Sequence, residues 1–173
     1  MTGRLVSLEP AHRDALELFL QDFDPCREEL HGYFLDRDAD IDSAVADLTD
    51  WAAGINIKEG WVPCTTWFWE EEGALQGVIN VRHRLSPQLE EEGGHIGYSV
   101  APSFRRRGVA TRMLSAALSI CPSLGIKRAL LTCDAKNIGS WRTIEVNGGV
   151  LERESEETAD KRSSRWYWID LET

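Results

Sequence analysis

His-Ile-Gly-Tyr-Ser-Val-Ala-Pro-Ser-Phe-Arg-Arg-Arg-Gly-Val-Ala-Thr, residues 95–111, carries three structural signals in one stretch. Its first six residues have strand composition, and Pro102 ends them. Behind the turn, Val109, Met113, Leu114, Ala117, Leu118 and Cys121 fall on one helical face, which ends before Pro122 and Gly125. A helix N-terminus exposes unpaired N–H groups and the positive end of its dipole, so it attracts phosphate. Gly108 lets the backbone approach the phosphate oxygens with no side chain between, and Ala110 keeps the next turn small. Arg105, Arg106 and Arg107 add charge-assisted donors beside that turn. The stretch reads as a diphosphate site; the alternative is a solvated basic loop capping an amphipathic helix. Neither Gly-x-x-x-x-Gly-Lys-Ser/Thr nor Gly-x-Gly-x-x-Gly occurs, which removes the P-loop and dinucleotide readings.

Outward from this stretch, residues 4–8 predict a first strand. A helix opens at Pro10 and Ala11 and runs through Leu16, Phe19 and Leu20 until Asp24-Pro25 breaks it. A second helix is expected from about Asp42 through Val45, Leu48 and Trp51, with Asp40 or Asp42 as its cap and a stop near Gly54. Residues 63–69 and 77–83 are strands around a Glu71-Glu72-Gly73 turn, followed by a loop containing Pro87 and ending at Gly93-Gly94. Residues 129–133 are a buried strand. Residues 138–146 form a helix closing at Asn147-Gly148-Gly149, and residues 150–152 and 165–171 are two closing strands. The order β-α-α-β-β-β-α-β-α-β-β predicts a mixed α+β fold in a single domain, residues 1–173.

The 173 residues suffice to bury a core without cross-links, and 42% hydrophobic with 28% charged residues is typical of globular proteins. A net charge of −10 argues against a nucleic-acid binder and suits a cationic amine partner. No membrane-spanning run or secretory signal is legible, and a cytoplasmic location is expected. Cys26, Cys64, Cys121 and Cys133 have no metal-ligand spacing and read as free thiols; no metal is expected.

Residues 94–111 resemble motif A of the GNAT acetyltransferase superfamily, whose Arg/Gln-x-x-Gly-x-Gly/Ala is matched by Arg105, Gly108 and Ala110. Downstream, Asn137-Ile-Gly-Ser140, on a helix ending at Asn147-Gly148-Gly149, is similar to the family's Asn-x-x-Ala/Ser helix. The Gly-Gly-His-Ile-Gly-Tyr run at residues 93–98 resembles a bacterial subgroup. The resemblance implies a mixed sheet of about six to seven strands flanked by about four helices. It also implies a fourth strand splayed from the fifth, with the pantetheine of acetyl-CoA in the gap. Backbone groups of Tyr98, Ser99 and Val100 would then pair with the pantetheine. Amides of Arg106, Arg107, Gly108, Val109, Ala110 and Thr111 would cradle the pyrophosphate, and Asn137 and Ser140 would lie along the cofactor.

By the same resemblance, the chain is an acetyl-CoA-dependent N-acetyltransferase that acts directly on a primary amine of a small molecule, peptide or protein. Dimers are common among similar proteins. The family's acid, a tyrosine seven residues after the asparagine, is replaced here by Ile144. The alternatives are therefore a CoA-binding module with little catalysis, or a partner-binding domain with no CoA affinity. Catalytic candidates are His95 as base and Tyr98 as acid, which a regular strand would point to opposite faces. His83 is a further candidate, and Thr132 stands where some relatives carry a glutamate base. Trp51, Trp61, Trp67 and Trp69 read either as core or as an aromatic acceptor pocket.

Overall fold

A hairpin over residues 64–82, whose second strand is buried on both faces from Leu75 to Val81, is the element on which the others are laid. The computed structural model describes residues 3–23, 30–33, 35–36, 38–158 and 162–171; the Asp24-Pro25 break and Cys26 lie outside the described residues. Strands β2 (Cys64–Glu71) and β3 (Ala74–Arg82) pair antiparallel and are joined by Glu72 and Gly73, both at positive φ (54° and 78°). Two left-handed residues match the twist of the flanking strands, and glycine takes the second position without penalty. Strand β1 (Arg4–Val6) adds to β2, and β4 (Ile96–Val100) adds to β3, giving an antiparallel sheet β1-β2-β3-β4. A second sheet, ordered β5-β7-β6, contains β5 (Arg128–Asp134), β6 (Val150–Glu154) and β7 (Ser164–Asp170).

Helix α1 (Arg13–Phe23) and α2 (Ile41–Ala53) cover one face of the first sheet, where Phe19, Phe23, Leu48 and Trp51 pack with Phe68 and Val78. Of the two capping candidates, Asp40 is the cap of α2: its Oδ1 accepts from the N–H groups of Asp42 and Ser43, both at 3.1 Å. Gly54, at φ 74°, ends the helix as expected. Helix α4 (Val109–Ile120) lies on the other face. Its Met113, Leu114 and Ala117 join Ile79, Val81, Ile96, Leu131 and Tyr167, with Ile144 from α5 (Ile138–Val146). Sequestering each such large apolar side chain contributes roughly 1.5–3 kcal/mol, so both faces of the hairpin anchor the fold.

The segment read as a loop around Pro87 contains a short helix, α3 (Pro87–Glu91). Ser86 caps it and Pro87 supplies its first residue, which is favourable geometry, but five residues are too few to display a helical period. The Trp166 Nε1–H donates to the carbonyls of Glu90 and Glu91 (3.2 and 3.1 Å), tying α3 to β7 and so to the second sheet. Cys64 and Cys121 are buried free thiols.

Candidate functional site

Strands β4 and β5 are edge strands of separate sheets and do not form a ladder with each other. They meet at their bases. The His95 N–H donates to the Leu130 carbonyl (2.7 Å), and the Leu130 N–H donates back to His95 Nδ1 (2.9 Å). The preceding turn is pressed against β5. A side chain on Gly94, itself at φ 61°, would collide with the Leu130 carbonyl, and the Gly93 N–H donates to Thr132 Oγ1 at 2.9 Å. Arg82 donates to the Gly93 and Gly94 carbonyls (3.0 Å each), fixing this turn from the other side. Beyond this clasp the facing edges of β4 and β5 carry no partner strand among the described residues, so polar backbone lines the gap.

At the far end of β4, the turn leading into α4 has Arg106 at φ 64° and Gly108 at φ 74°. Left-handed residues in such a turn form a concavity of N–H groups that suits an anion. The first turn of the twelve-residue α4 adds its own free N–H groups, and Gly108 contributes no side chain that could compete for them. The three arginines are deployed differently. Arg105 folds back, donating from Nε to the Val100 carbonyl (3.0 Å) and lying over Phe23. Arg107 lies over Phe104, and Arg106 is exposed. Arg112, which the sequence reading did not single out, donates to the Arg107 carbonyl and to Glu71, both at 3.0 Å, and covers Trp69. Its one clue was its place four residues after Gly108, on the same side of the helix. Asp22 secures the turn from α1 by accepting from the Ser103 N–H and hydroxyl (3.0 and 2.8 Å).

Asn137 is the N-cap of α5, its Oδ1 accepting from the Ser140 N–H at 3.0 Å. Ser140 in turn meets Tyr98 across the gap: the phenol oxygen lies 3.1 Å from Ser140 Oγ and 3.3 Å from the Ser140 carbonyl. Burial, with a smaller opposing effect from Ser140, pushes the Tyr98 phenol up to about 12. Cys133, half-buried on β5, is likewise pushed up to about 11 by burial, so both groups stay protonated near neutrality. Ile144 is buried in the core against which Tyr98 packs.

His95 is 7% exposed, and burial and the nearby Arg82 charge lower its pKa to about 4. It is a neutral ring whose Nδ1 is already an acceptor. His83 is bonded through Nε2 to Thr65 Oγ1 at 2.8 Å, and burial lowers its pKa. The four tryptophans do not converge on one pocket. Trp51 and Trp61 stack edge-on at 5.6 Å under Lys58, whereas Trp67 and Trp69 pack into the cluster beneath α4. An open groove of about 540 Å³ lies past the end of β5, lined by Lys136, Glu154, Glu156, Glu157 and Ser163 among others. Among the described residues no helix is long and apolar enough to cross a membrane, and no group of three or more His, Cys, Asp or Glu side chains is arranged to hold a metal ion.

The model of the acetyltransferase (GNAT) family matches residues 23–148. No curated protein matches the chain by sequence. Among solved structures, it is similar to the Salmonella typhimurium acetyltransferase that modifies the N-terminal serine of 50S ribosomal subunit protein L7/L12. The identity is 16% and the TM-score 0.70, over 99% of this chain and 96% of that one. The putative acetyltransferase yncA of Salmonella typhimurium, with its cofactor acetyl-CoA, is 15% identical with a TM-score of 0.66, over 99% and 94%. The microcin C7 self-immunity acetyltransferase MccE, in complex with acetyl-CoA and AMP, is 16% identical with a TM-score of 0.69, over 97% and 92%. At these identities the likeness is one of fold.

Proposed function

Because the chain belongs to the GNAT acetyltransferase family, we propose that the turn before α4 holds the pyrophosphate of acetyl-CoA and that the acetyl group passes directly to a primary amine. The observation that carries this reading is the pair of left-handed residues, Arg106 and Gly108, opening α4 beside an unpartnered β4 edge. One ligand with a diphosphate at one end and an amide-bearing arm at the other suits both features. The amides of residues 106–111 take the diphosphate, and backbone groups of Tyr98, Ser99 and Val100 take the arm. Arg105 is stapled to the Val100 carbonyl, and Arg106, exposed in the turn, is placed to reach a cofactor phosphate.

Direct transfer, with no acyl-cysteine stage, is supported by Cys133: a thiol held up near 11 is a poor nucleophile at neutral pH. An acceptor amine that is protonated in water suits the surplus of carboxylates in the groove past β5. Free thiols at Cys64, Cys121 and Cys133 fit a reducing, cytoplasmic setting, and the chain acts as one catalytic domain. The test is calorimetry with acetyl-CoA, followed by CoA release in the presence of three probes: a peptide with a free N-terminal serine, an N-blocked lysine peptide and spermidine. Micromolar binding and release above the hydrolysis background with at least one probe are expected. Binding without release for any amine would return the chain to the class of CoA-binding modules.

A further inference from the structure

We propose that Tyr98 donates the proton that the departing CoA sulfur requires, its hydroxyl delivered from strand β4 to the place that the family fills from the helix at position 144. The inference rests on the acetyl-transfer reading above. Positions 140 and 144 lie one turn apart on the same side of α5. Ile144 brings no hydroxyl to that side, yet the Tyr98 phenol reaches it from the opposite wall and meets Ser140 at 3.1 Å. The helix contributes a buried isoleucine there, and the strand's tyrosine packs against the same cluster.

No neighbouring group serves as well. His95 is neutral with Nδ1 occupied by the Leu130 N–H, and His83 is engaged by Thr65. A serine hydroxyl is a far weaker acid than a phenol. Burial keeps the Tyr98 phenol protonated near neutrality, so its proton is present when the sulfur departs. The step balances. The amine nitrogen bonds to the thioester carbonyl carbon, the tetrahedral adduct collapses, and the C–S bond breaks. The Tyr98 O–H proton passes to sulfur to give CoA–SH. The proton lost by the amine goes to solvent, and Tyr98 regains one from solvent. Ser140, itself fixed by the Asn137 Oδ1, is a positioning residue that holds the phenol.

Tyr98→Phe keeps the ring and the β4 backbone, so acetyl-CoA affinity by calorimetry and Tm are expected to stay near wild type. With the best acceptor of the amine panel, kcat is expected to fall about 100-fold or more with KM nearly unchanged. Ser140→Ala is expected to lower kcat about tenfold, but to add nothing further in the Tyr98→Phe background, because it acts through the lost hydroxyl. A Tyr98→Phe enzyme within threefold of wild-type kcat overturns the assignment. So does one that loses acetyl-CoA affinity in parallel, or a Ser140→Ala effect that multiplies undiminished onto Tyr98→Phe. If the wild-type chain does not bind acetyl-CoA at all, the acetyl-transfer reading fails, and this inference with it.

Discussion

At the scale of single residues, two positions decide what the cleft can do. Gly108 sits at φ 74°, where a β-branched side chain costs on the order of 1–2 kcal/mol and would crowd Arg112 beside the N–H groups proposed to hold the phosphate. Gly108→Val is therefore expected to weaken acetyl-CoA at least about tenfold by calorimetry while the chain still folds, with Gly108→Ala intermediate. His95 is the second. Its ring charges near 6.5 in the unfolded chain but only near 4 in the folded one. Folding thus disfavours the proton: stability is intact above about pH 6.5 and is lost as the pH falls toward 4, by on the order of 3 kcal/mol. A series of thermal melts should show this acid limb. His95→Asn, which keeps an acceptor for the Leu130 N–H but cannot titrate, should flatten it.

At the scale of elements, α2 depends on the aspartate that caps it, Asp40. The Ser43 hydroxyl and N–H, with smaller help from the Asp42 N–H and Arg13, hold the Asp40 carboxyl below the usual carboxylate range. Its contribution is present above the ordinary carboxylate pKa and fades as the pH falls through the lowered folded value. Asp40→Ala should lower Tm by about 2–4 °C near neutrality, and that difference should shrink in acid. The cap was legible to within two aspartates because caps are local, as were the Gly54 stop and the Asn137 start of α5. The strand–turn–helix around Gly108 was legible for the same reason. Helix α3 escaped because one turn and a half carries no period. The use of His95 escaped because its partner, Leu130, lies 35 residues away. Composition offered a histidine in a plausible place, and only the fold shows that Arg82 and burial keep it neutral. Tyr98 and Ser140 were each visible as motif residues, but their meeting across the gap was not, since it depends on how far β4 and β5 part.

At the scale of the whole molecule, charge is divided unevenly. A chain of net charge −10 concentrates three consecutive arginines at the turn before α4 and glutamates around the groove past β5. On the proposed reading, the donor and acceptor ends thus carry charges of opposite sign. Raising ionic strength from about 0.05 to 0.5 M shrinks the range of such fields from over 10 Å to a few ångströms. The KM for spermidine, measured at saturating acetyl-CoA, is expected to rise about threefold or more, a loss that a neutral acceptor would not share.

The margins of β4 and β5, clasped at their bases through His95, Leu130, Gly93 and Thr132, also bear on how long each copy survives. On the proposed reading, a cofactor lodged between them would join two half-sheets that the polypeptide alone leaves apart, and it would have no such seat on an unfolded chain. At a hundred times its dissociation constant, a ligand of this kind adds about 2.7 kcal/mol to folding, roughly a hundredfold fewer opened molecules for proteases to cut. The abundance of the protein would then follow the cell's carbon supply, falling when acetyl-CoA runs short, without any change in the transcription of its gene.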